Sequence, residues 1–144
     1  MLWRQSYTTR IEERRDIPPL DIHLLNGTRG TAAPFVVAVR SLRAMPALDL
    51  WRRLFRERYP TMPAMFAVVG ATDLADLEAL VPPSRSGEYG VIRSPEWIEL
   101  FDGADEQHPM AIVAGHPSLV LIGPPTEDAW EACWPRLDTT DFAE

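Results

Sequence analysis

A chain of 144 residues, 46% hydrophobic and 24% charged, has the size and composition of one globular domain, which excludes a disordered tail, a fibre or a coiled-coil rod. A net charge of −7 lacks the basic surplus that general nucleic-acid binders use, because phosphate neutralisation supplies most of that affinity. One cysteine, Cys133, excludes an internal disulfide framework, and no apolar run approaches the roughly 20 residues of a membrane-spanning helix.

The first 17 residues are polar with spaced apolar positions. Trp3, Tyr7 and Ile11 are four apart, which fits one face of a helix and equally one face of a strand. The Thr8-Thr9 pair leans toward strand. This opening is no secretory signal, and together with the lone cysteine it points to the cytoplasm. Leu20 to Leu25 predicts a strand, stopped by the turn dipeptide Asn26-Gly27. Phe35 to Arg40 predicts a buried strand.

Pro46 to Tyr59 is the clearest helix. Ala47, Leu48, Trp51, Leu54, Phe55 and Tyr59 fall on one side at 100° per residue, with Asp49, Arg52, Arg53, Arg56 and Glu57 opposite. Met65 to Val69 predicts a strand. A helix from Asp73 to Val81 follows, with Thr72 as N-cap and Pro82-Pro83 as its stop. Ser94-Pro95-Glu96 opens a further helix that ends by Asp102-Gly103, an edge strand being the competing assignment. Met110 to Ala114 and Leu119 to Ile122 predict an antiparallel hairpin, and Thr126 caps a last helix bearing Trp130, Cys133, Trp134 and Leu137. The fold class expected is α+β. It comprises a small mixed or antiparallel sheet and three to four helices packed mainly on one face. Residues 1–137 form a single domain and 138–144 an acidic, flexible tail.

The charges are unevenly placed along the chain. Residues 1–60 carry eleven arginines against six acids, a net of +5; residues 61–144 carry three arginines against fifteen acids, a net of −12. If the halves interleave in one fold, these charges mix in space. If they do not, a basic and an acidic patch would steer a charged partner or favour head-to-tail self-association.

Several constellations invite chemistry, each with a plainer alternative. Asp102, Asp105, Glu106, His108 and His116 could ligate a metal or serve a small enzyme, but their spacing matches no ligand signature and also suits an acidic surface loop. No metal and no cofactor is expected. Cys133 lies between tryptophans on an apolar stripe, the setting of an inert buried thiol. Ser118 has no nucleophile elbow around it. Gly70 and Thr72 open a helix after a strand, where backbone amides can hold a phosphate, without the motif endings of such loops. All 14 basic residues are arginine, so a lysine-dependent phosphate loop and Schiff-base chemistry are excluded.

The function expected is that of a non-enzymatic protein–protein interaction module, such as an immunity protein, adaptor, chaperone or inhibitor. Arg52, Arg53 and Arg56 would face an acidic partner, with Trp3 as an exposed aromatic anchor. The alternatives are a small enzyme or ligand-binding domain using the Asp102 to His116 loop, and a nucleic-acid-associated protein using the arginine face of helix 46–59.

Overall fold

The computed structural model describes residues 9–70, 72–101, 108–115 and 117–139. Its strands are β1 (Arg10–Arg14), β2 (Ile22–Leu24), β3 (Arg29–Gly30), β4 (Phe35–Val39), β5 (Ala64–Val69), β6 (Tyr89–Ile92), β7 (Met110–Val113) and β8 (Ser118–Ile122). Its α-helices are α1 (Met45–Arg58), α2 (Leu74–Glu78), α3 (Pro95–Leu100) and α4 (Glu127–Asp138).

All eight strands join one mixed sheet in the order β1-β8-β7-β4-β5-β6-β2-β3. This corrects the expectation of a small sheet. The three strands not foreseen are β1, left between helix and strand by its spacing, the two-residue β3, and β6. The last hides in Glu88-Tyr89-Gly90-Val91-Ile92, where a glycine interrupts the apolar run. Gly90 is there because β2 approaches so closely that an added Cβ would collide with the His23 carbonyl.

The middle of the sheet is parallel: β4 pairs with β5 and β5 with β6, with α1 and α2 as the crossovers. Parallel strands need such long connections, and this one requirement sets where the helices go. The outer strands are antiparallel, including the expected β7–β8 hairpin, whose register pairs Ala111 with Leu121 and Val113 with Leu119.

Alternation along the strands divides the interior into two layers. Phe35, Val37, Val39, Phe66, Val68, Tyr89 and Val91 meet Leu48, Trp51 and Phe55 of α1, Leu77 of α2, and Ala129, Cys133 and Leu137 of α4. Val36, Ala38, Ala67, Ile92, Ile112 and Val120 form the second layer with Trp97 of α3 and Phe101 just beyond it. Helices therefore do gather mainly on one face, three against one.

Helix ends follow their local chemistry. Thr126 caps α4 as expected, its hydroxyl accepting from the Ala129 amide at 3.1 Å. On α2 the cap is Asp73, not Thr72: the Asp73 carboxylate accepts from the Ala75 amide at 3.0 Å. Asn26-Gly27 makes its turn with Gly27 at φ 89°, a conformation that suits glycine. Asp138, assigned to the tail by sequence, is the last residue of α4. Among the described residues no helix is long and apolar enough to cross a membrane.

Candidate functional site: the arginine face of α1

Interleaving decides the charge question. β4, from the basic half of the chain, lies between β5 and β7 of the acidic half, and β1 pairs with β8. The halves are then stitched by ion pairs across the sequence divide: Arg52 and Arg56 with Glu88, Arg58 with Asp138, and Arg136 with Glu13. Much of the asymmetry read along the sequence is thus consumed inside the fold.

The apolar stripe of α1 packs on the sheet, which turns Arg52, Arg53 and Arg56 to the opposite side. Arg52 and Arg56 bend over to Glu88, just before β6. The Arg52 Nη2 donates to Glu88 Oε2 at 3.0 Å, and the Arg56 Nη2 to Oε1 at 2.8 Å. Arg56 Nη1 also donates to the carbonyls of Tyr59 at 3.1 Å and Met62 at 2.6 Å, fixing the chain that leaves the helix. These side chains are more than four-fifths covered, Arg52 and Glu88 being 18% and 19% exposed. Burial pushes the Glu88 carboxyl up, but the hydrogen bonds from Arg52 and Arg56 outweigh it and hold Glu88 below the usual glutamate range. One turn earlier the Tyr89 hydroxyl donates to Asp49 at 2.5 Å. Burial, reinforced by that carboxylate, raises the Tyr89 pKa.

Arg52 and Arg56 therefore bind the helix to the sheet, although they lie opposite its apolar stripe. Arg53 is exposed and forms no ion pair among the described residues. Arg85, in the turn before β6, joins it from across a shallow depression of about 530 Å³ that Leu50, Arg52 and Arg56 also line. Leu50 is 39% exposed there. Sequence reasoning missed Glu88, Arg85 and Leu50. No helical periodicity links the first two to α1, and Leu50 falls off the apolar stripe.

The C-terminal end of α1 is clasped to α4. Arg58 donates to Asp138 at 2.6 Å and lies 4.2 Å over the Trp134 ring, while the Tyr59 hydroxyl donates to the Trp134 carbonyl at 3.1 Å. Burial and the neighbouring Asp138 push Tyr59 up to about 12.

The other candidates fare differently. Trp3, Asp102, Asp105, Glu106 and His116 lie outside the described residues, and His108 stands just before β7. No group of three or more metal-ligating side chains forms among the described residues. Cys133 is fully buried on the sheet-facing side of α4, and burial pushes its thiol up to about 12, so it is protonated and unreactive at neutral pH. At the mouth of α2 the Gly70 amide already donates to the Ile92 carbonyl at 2.9 Å. The Asp73 carboxylate occupies the position an anion would take.

Comparison with protein-family models, with curated proteins and with solved structures finds no match to this chain.

Proposed function

We propose that the chain is a non-enzymatic protein–protein interaction module, and that the depression beside α1 receives an acidic surface of its partner. Support comes mainly from how that surface is built. Glu88 holds the guanidinium groups of Arg52 and Arg56 in place, so the surface from which the free arginines project is already ordered before binding. Arg53 and Arg85 stand at its rim without an ion pair among the described residues. Leu50 offers an apolar contact in the same depression, whose lining also includes Asp49 and Glu57. A fixed floor and an arginine-bearing rim suit electrostatic steering followed by tight seating.

The experiment is capture of a partner from native-host lysate on the immobilised chain, then measurement of its association rate with wild type and with Arg53→Glu/Arg85→Glu. We expect a stoichiometric protein whose on-rate falls at least tenfold in the double variant at low salt. That difference should shrink at 1 M salt, where the Debye length is about 3 Å. An unchanged on-rate, or retained material that a nuclease removes, would overturn the assignment.

A further inference from the structure

The second face of the sheet is thinly roofed. Among the described residues it is covered, apart from α3, by the strap Ile17-Pro18-Pro19-Leu20 and by Thr31-Ala32-Ala33, and these leave a groove of about 550 Å³ above Val36 and Ile112. The gap exists because its rim is small: Ala32, Ala114 and Gly115 present almost no side chain. The strap is tied to α3 by the Trp97 indole, whose Nε1 donates to the Pro19 carbonyl at 2.9 Å. That bond uses the one polar atom of the tryptophan wall. The Ser118 hydroxyl at the far rim is likewise engaged, donating to the Gly115 carbonyl at 3.3 Å. Apart from the Thr31 hydroxyl, what remains for a ligand along the groove is mainly apolar surface, in a volume typical of small-molecule sites.

One end differs. The groove shares Ile17, Gly115 and Ser118 with a second cleft of about 350 Å³ that Arg14 and Arg15 also line. Arg14 is committed to Asp16, donating at 2.7 and 2.8 Å. Arg15 is exposed and pairs with no acid among the described residues. The apolar groove thus borders a guanidinium group that no acid among the described residues meets.

We propose that this groove is a binding site for a small carboxylic acid with an apolar body, the hydrocarbon lying along the proline strap over Val36 and Ile112 and the carboxylate meeting Arg15. The site is separate from the depression on α1 and stands or falls without it.

The test is a titration followed by amide and indole NMR shifts, with octanoate and decanoate as probes and 1-octanol as the uncharged control. Saturable shifts are expected at Thr31–Ala33, Ala114, Ser118 and the Trp97 indole, the last assigned with Trp97→Phe. Decanoate should bind tighter than octanoate by up to about fourfold per added methylene, as burial of each group predicts. Octanoate should bind at least threefold tighter than 1-octanol. Arg15→Gln should abolish that preference while leaving 1-octanol binding unchanged. Ala32→Trp should weaken all three probes at least tenfold; Ala32 is exposed, so the added ring needs no repacking of the core, and Ala114→Trp at the opposite rim is a second plug. Shifts confined to other residues, unsaturable binding, equal affinity for acid and alcohol, or an acid preference that survives Arg15→Gln would each overturn the proposal.

Discussion

The two faces of the sheet are made by the same strands and yet differ in kind. β4 and β5 send Phe35, Val37, Val39, Phe66 and Val68 to the face that three helices cover, and Val36, Ala38 and Ala67 to the other. On the first face the rings interlock: Phe35 stacks on Phe55 with centroids 4.7 Å apart and lies 5.9 Å from Trp51. On the second, one six-residue helix and a proline strap leave a groove of about 550 Å³. Connectivity explains the difference. The parallel run β4-β5-β6 calls for two crossovers and places both on the first face, where α4 joins them. The second face receives what other connections leave over. Close ring packing and an open groove are thereby segregated by topology.

The sharpest way to break this comparison is to empty one position on each face. Phe55→Ala removes a fully buried ring from a stack closed on all sides, and a loss of about 3–5 kcal/mol in unfolding free energy is expected from chemical denaturation. Ile112→Ala faces the groove, so the space it leaves merges with an opening already present. Its cost should sit near the bottom of the usual range, about 2 kcal/mol. Equal losses at the two positions would show that the faces are packed alike.

The first face was largely legible in the sequence. The stripe of Leu48, Trp51 and Phe55 has helical spacing, and Pro46 and Pro60 bracket it, so α1 could be placed from local rules alone. The hairpin of β7 and β8 was equally plain, because two apolar runs flank four turn residues. The size of the sheet was not. β1 reads Arg-Ile-Glu-Glu-Arg, which local propensity does not favour as strand; its pairing with β8 is a tertiary fact, and its charges suit an outer edge. β6 carries a glycine that its neighbour requires, a reason visible only once β2 lies beside it. The candidate site was half legible for the same cause. Periodicity set the arginines opposite the core but gave no sign of Glu88, 32 residues beyond Arg56, as the partner of two of them.

An intermediate effect is expected at that partner. Glu88→Gln removes the charge that two guanidinium groups share on the outer side of the first face, and about 2 kcal/mol of stability should go with it. The pH dependence has a definite sign. A carboxyl held below its ordinary value stabilises the fold fully above roughly pH 4.3, and that contribution is lost as pH falls through the lower folded value. Melting temperature should therefore drop on acidification below that point, and the drop should be shallower in Glu88→Gln than in wild type. Parallel curves would mean that Glu88 carries no linkage.

The smallest effect separates the arginines from one another. Arg53 is exposed and makes no ion pair among the described residues, so Arg53→Glu should shift unfolding free energy by no more than about 0.5 kcal/mol. Arg52→Glu places a second carboxylate where Glu88 now meets a guanidinium 3.0 Å away, and replaces attraction with repulsion in a region largely screened from water. The two variants change net charge identically, and they sit on adjacent residues of one helix. Any general effect of charge on solubility or on the unfolded chain is therefore common to both. A denaturation midpoint that falls in Arg52→Glu and holds in Arg53→Glu would assign the difference to Glu88 itself. It would also make Arg53 the position at which partner binding can be tested with the fold unchanged. If both midpoints fall together, Arg53 has a structural role too, and the rim of the depression is no more free for a partner than its floor.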